Sequence, residues 1–206
     1  MKKICVFCGS STGINGVYRD AAVRLGEYLG RNKFELVYGG GNVGLMGILA
    51  DSAMEAGGKV TGIIPEPIAR LEIAHKGITE LEVVADMHIR KARMAELADG
   101  FIALPGGFGT LDELSEVMTF SQLRIYDKPV GLLNTEGYFN HLIRFLDHSV
   151  REGFVRPEHR QNIFVEDEPG KLIEQMKTFR PHHIGKWIDD IKNDAQSGNT
   201  DKQTEG

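Results

Sequence analysis

The chain is expected to fold as an α/β protein, a single doubly wound parallel sheet flanked by helices. Apolar runs of four to seven residues alternate with longer amphipathic stretches, which is the pattern of β-α units whose strands are buried on both faces. Three glycine-rich segments fall where strands should end and helices begin. With 206 residues, 41% of them hydrophobic, the chain can bury one substantial core and suits one domain better than two.

In chain order, the first apolar run, Lys3–Cys8, ends in the glycine-rich Cys8–Gly13 and is followed by an amphipathic stretch at Val17–Arg31. The second run, Glu35–Tyr38, passes into Gly39–Gly44 and the helix Val43–Ala56. Lys59–Ile64 is a third strand, stopped at Pro65-Glu66, and Leu81–Ala85 a fourth, leading into a helix over Met87–Ala98. Gly100–Leu104 is a fifth strand, followed by Pro105–Thr110 and a helix over Thr110–Leu123. Val130–Asn134 completes six strands, with helices at Gly137–Glu152 and Pro169–Thr178 behind it. Six strands with crossover helices describe a Rossmann-like sheet, in which ligands bind beyond the carboxyl ends of the strands.

The folded domain is expected to end near residue 180. Beyond it Ile184, Trp187, Ile188 and Ile191 fall at helical spacing, and Asn193–Gly206 has no large apolar residue, so a short helix and a mobile tail are expected over 181–206. The net charge of −5 argues against a protein that grips long nucleic acid. The first apolar run is too short for a signal peptide and none approaches transmembrane length, which points to the cytoplasm. Cys5 and Cys8 read as two buried strand cysteines on opposite faces rather than a disulfide or metal pair. The seven histidines show no pairing with carboxylates that suggests a metal.

The most informative segment is Pro105-Gly106-Gly107-Phe108-Gly109-Thr110-Leu111-Asp112-Glu113. Its glycines let backbone N–H groups approach an anion at a helix start, where the helix dipole adds positive potential. It lacks the Gly-Lys-Ser/Thr ending of a Walker loop. Glu113 and Glu116 lie three apart on the following helix and project from one face near the cradle. Val117 and Phe120 share that face, while Leu111, Leu114 and Met118 form an opposite apolar stripe, so the helix is expected to be buried on both sides. Arg90 and Lys91, in Met87-His88-Ile89-Arg90-Lys91, bring two cations to the same edge of the sheet. Gly39, Gly41 and Gly44 match G-x-G-x-x-G, but after the second strand rather than the first, so close packing or a binding-site wall explains them as well as a dinucleotide does.

At these residues the chain resembles the Lonely Guy family of cytokinin-activating phosphoribohydrolases, often mislabelled as lysine decarboxylases. The resemblance covers roughly Lys3 to Lys177 and rests on P-G-G-x-G-T-x-x-E at Pro105–Glu113 together with M-H-x-R-K at Met87–Lys91. It departs at Ile89, where the family often has Glu, and at Phe108, where Tyr is frequent. The resemblance implies a Rossmann-like homodimer or larger assembly with active sites near the subunit interface. It implies Arg90 and Glu113 as the catalytic pair, and Glu72, Lys91, Gly106, Gly107, Phe108, Gly109, Thr110, Leu111, Asp112 and Thr119 as substrate contacts, with Glu116 in support. The expected reaction is hydrolysis of the N-glycosidic bond of adenosine 5′-monophosphates, N6-modified or not, without cofactor. A nucleotide- or cofactor-binding carrier without turnover and an NAD-dependent oxidoreductase are the alternatives.

Overall fold

The computed structural model describes residues 1–71 and 73–181. Glu72, the short helix expected through Ile184 to Ile191 and the tail from Asn193 lie outside the described residues. The elements run β1 (Lys3–Phe7), α1 (Gly16–Arg31), β2 (Glu35–Tyr38), α2 (Gly44–Glu55), β3 (Val60–Pro65), α3 (Glu66–Ala69), β4 (Glu80–Val84), α4 (Met87–Leu97) and β5 (Gly100–Ala103). They continue with α5 (Phe108–Gln122), β6 (Val130–Leu133), a 3₁₀ turn at Thr135–Gly137, α6 (Asn140–Arg151), α7 (Pro157–Gln161), β7 (Ile163–Glu166) and α8 (Pro169–Met176).

The strands form one parallel sheet in the order β4-β3-β2-β1-β5-β6-β7. Strand order therefore reverses between β1 and β5, and their carboxyl ends open a crevice at that switch point. β1 shows how the sheet is buried on both faces. Ile4, Val6 and Cys8 enter a core shared with Leu25 of α1, Leu49 of α2 and Leu172 of α8, whereas Cys5 and Phe7 enter one shared with Met94 of α4 and Leu114 and Val117 of α5. Cys5 and Cys8 are both buried and unbonded to each other, and burial pushes both thiols well above their ordinary range.

Local signals set the helix starts that matter for the site. The Asn15 side chain accepts from the Val17 N–H at 3.2 Å to cap α1, and Asp86 accepts from the Ile89 N–H at 2.9 Å to cap α4. α5 starts from Gly107 with no side-chain cap. Its first amides have no intrahelical acceptor, which leaves them open to a partner from outside the helix.

The structure corrects three expectations. Among the described residues there are seven strands rather than six: β7 is a four-residue edge strand, half-buried throughout. α6 begins at Asn140 rather than Gly137, because Glu136 (φ 52°) and Gly137 (φ 69°) both take left-handed backbone before it. α5 is not buried on both sides within the chain: Glu113, Leu114 and Val117 are buried, but Leu111 is 43% exposed.

Candidate active site

The three glycine-rich loops expected at strand ends meet at the switch point. The Gly9 N–H donates to Pro105 O at 3.0 Å and the Leu45 N–H to Gly9 O at 3.0 Å, so the loops after β1, β2 and β5 are joined through Gly9. Between them opens a cleft of about 210 Å³, walled by Cys8, Gly9, Ser10, Gly39, Met46, Arg90, Gly107, Phe108, Gly109, Thr110 and Glu113. A Cβ at Gly106 would lie 2.1 Å from Thr110 Oγ1 and 2.8 Å from the Gly9 nitrogen, so only glycine lets these backbones close together. Gly107 and Gly109 differ, because a Cβ on either would meet nothing within 4 Å. Their missing side chains leave room at the open end of α5.

Arg90 enters from α4 and is fixed on three sides. Its Nη1 lies 2.9 Å from Glu113 Oε1, and its Nε donates to Ile63 O at 3.1 Å. A Cβ on Gly39 would lie 2.0 Å from Nη2, so the G-x-G-x-x-G match includes a glycine that makes space for this guanidinium. Arg90 and Glu113 are 9% and 7% exposed, and burial raises the Glu113 carboxyl above its ordinary range by more than Arg90 holds it down. Lys91, the next residue on α4, points to different partners: its Nζ sits 2.7 Å from Glu116 and 3.0 Å from Asp112. These contacts, Glu116 first, raise its pKa.

Residues 46–176 match the family described as "Possible lysine decarboxylase". The chain is 49% identical over 182 residues to a probable cytokinin riboside 5′-monophosphate phosphoribohydrolase of Oryza sativa subsp. japonica, covering 88% of this chain and 75% of that one. It is likewise 49% identical over 182 residues to a cytokinin riboside 5′-monophosphate phosphoribohydrolase of Arabidopsis thaliana, covering 88% and 85%. The chain belongs to the Lonely Guy family. More distant solved structures share the fold alone. They are a molybdenum cofactor binding protein from Rippkaea orientalis (TM-score 0.65, 22% identity, 86% of this chain and 97% of that one) and a Moco carrier protein from Chlamydomonas reinhardtii (TM-score 0.65, 21%, covering 86% and 96%).

Of the site residues expected for a Lonely Guy member, the structure brings Arg90, Gly107, Phe108, Gly109, Thr110 and Glu113 to one cleft. Gly106 sits at its margin, bordering a second recess of about 300 Å³ with Gly107, Ser10, Ser11, Tyr18 and Tyr138. Leu111 and Asp112 lie exposed on α5, and Lys91, Asp112 and Glu116 form a cluster beside the cleft rather than in its wall. Thr119 is not brought there: its hydroxyl donates to Ser115 O at 2.8 Å and it lines a separate cavity with His159. Glu72 lies outside the described residues, but Ile73 and His75 are zipped to the second glycine loop, through Asn42 N–H to Ile73 O at 2.7 Å and His75 N–H to Gly40 O at 2.9 Å. The sequence does not mark Ser10 and Met46 as walls of the cleft, nor Tyr138 as a wall of the adjoining recess. Ser10 lies in the glycine-rich loop after β1, whereas no local motif marks Met46 or Tyr138.

Proposed function

We propose that the chain hydrolyses the N-glycosidic bond of adenosine 5′-monophosphates, with or without an N6 substituent, releasing the base and ribose 5-phosphate. The observation that carries this reading is the buried Arg90–Glu113 pair, 2.9 Å apart beside the uncapped amides of α5. The names of the curated relatives support the same activity.

The free amides at Gly107–Thr110 and the positive end of α5 hold the phosphate, which places the ribose over the helix start. As the C1′–N9 bond breaks, its electron pair leaves with the base and positive charge builds on the sugar, as in other glycoside hydrolyses. Glu113, ionised, faces that charge, and water supplies the oxygen that bonds to C1′. The base takes up the proton that the water loses, and Arg90 positions the nucleotide while keeping Glu113 aimed. Decarboxylation through pyridoxal phosphate fits poorly. That chemistry needs a Schiff-base lysine, and among the described residues none lines the cleft, Lys91 beside it being paired to Glu116 and Asp112.

We further propose that the chain works in the cytoplasm as a homodimer or larger assembly. Among the described residues no helix is long and apolar enough to cross a membrane. Met87, Ile89, Phe108 and Leu111, at the starts of α4 and α5, leave apolar surface exposed beside the cleft, where a second copy would cover it. Sedimentation of the wild type and of Ile89→Asp tests the assembly, a monomeric wild type being the adverse result.

Incubation with AMP tests the reaction: adenine and ribose 5-phosphate should appear in equal amounts. Tight AMP binding without products would favour the carrier reading, and preference for a dinucleotide over AMP would favour an oxidoreductase.

A further inference from the structure

We infer that Tyr138 is a positioning residue of the phosphate cradle, holding the Gly106–Gly107 peptide in the orientation that offers its amide to the anion. The inference rests on the proposed placement of the phosphate at the start of α5. Tyr138 follows β6, one strand beyond the loop that carries the cradle, and its hydroxyl donates to Gly106 O at 2.6 Å across 32 residues of chain. A trans peptide is planar, with its C=O and N–H directed oppositely, so fixing the Gly106 oxygen also fixes the direction of the Gly107 N–H. Gly107 is the residue from which α5 starts, and it borders both the cleft and the adjoining recess.

The chain is arranged to bring this hydroxyl into place. Glu136 and Gly137, in succession, take left-handed backbone (φ 52° and 69°), and Glu136 does so without the freedom of glycine. Asn134 secures the turn, accepting from the Phe139 N–H at 2.8 Å and donating to Asn140 Oδ1 at 2.9 Å. The Tyr138 ring then stands edge-on to Tyr18 of α1 at 5.5 Å and to Phe139 at 5.2 Å, so its hydroxyl is aimed by packing on both sides. On the other side of the cradle, the Gly9 N–H holds Pro105 O at 3.0 Å. The loop is thus gripped from both sides, by Gly9 after β1 and by Tyr138 after β6, while α5 starts from it with no side-chain cap.

Tyr138→Phe keeps the ring contacts and removes only the O–H. Steady-state kinetics and calorimetric binding on the purified chain should show KM and Kd for AMP rising about tenfold, as expected for a lost hydrogen bond that aims a charge-binding amide. Binding of adenosine, which has no phosphate, should be unchanged, as should kcat for AMP, and the melting temperature should fall by at most a few degrees. In amide NMR, titration with ribose 5-phosphate should move the Gly107 resonance less in the variant than in the wild type. Wild-type affinity for AMP in Tyr138→Phe, or equal losses on AMP and adenosine, would overturn the inference while leaving the proposed reaction intact. A wild type that binds adenosine as tightly as AMP would overturn the cradle placement and this inference together.

Discussion

Arg90 Nη1 and Glu113 Oε1 meet at 2.9 Å between α4 and α5, with both side chains buried. An ion pair in such a place is held at a desolvation cost, so each member depends on the other. Arg90→Ala should cost about 3–5 kcal/mol of folding stability by leaving Glu113 buried without its counter-charge. Urea denaturation of the variant measures it, and a loss no larger than that of an exposed arginine would refute the dependence.

The raised pKa of Glu113 has two readable consequences. The proposed mechanism needs the carboxylate, so the rate should fall on acidification through a pKa above the ordinary glutamate range, where burial has placed it. The linkage to stability has the opposite direction. A carboxyl whose folded pKa exceeds its unfolded value contributes stability that is complete below the unfolded pKa and is lost as pH rises through the folded one. Relative to wild type, Glu113→Gln should therefore gain stability as pH rises through that window. Rate profiles and denaturation curves across mildly acidic to neutral pH check both directions.

Glycines around the cleft should respond differently to the same substitution. Gly39→Ala drives a methyl to 2.0 Å from Arg90 Nη2, so the guanidinium must move and kcat should drop by about tenfold or more. Gly109→Ala meets no atom of the protein within 4 Å. That variant should melt near the wild-type temperature and lose its affinity for nucleotide, because in the proposed placement the methyl occupies the phosphate's space. Equal kinetic behaviour in the two variants would count against the assigned geometry.

Cys5 and Cys8 lie on opposite faces of the sheet and are both buried, with thiols pushed up by desolvation. Native protein should react slowly with a thiol reagent at neutral pH and yield two equivalents on unfolding. Rapid native labelling at either would contradict the burial.

Much of this architecture can be read from the sequence, and the exceptions have physical reasons. The central strands appear as continuous apolar runs because parallel strands here are buried on both faces, and β2 spans Glu35–Tyr38 as expected. β7 carries the apolar run Ile163-Phe164-Val165, as long as that of β2, but it is half-buried at the sheet edge and follows the short helix α7 rather than being set off by a glycine-rich loop. Arg90 and Glu113 stood out because their motifs are local, as was the glycine spacing of the cradle. The contact of Gly39 with Arg90 and that of Tyr138 with Gly106 are made between distant segments and depend on strand order. The Lys91 ammonium bridges Glu116 and Asp112, a pairing that becomes visible only when α4 and α5 are laid side by side.

Release of free base from AMP and from N6-isopentenyladenosine monophosphate should be measured chromatographically for wild type and Glu113→Gln, with nucleotide binding measured on both. The proposal predicts base from the wild type and a loss of about a hundredfold or more in the variant, which should still fold and bind nucleotide. No base from a wild type that binds AMP, or an undiminished rate in Glu113→Gln, would contradict it.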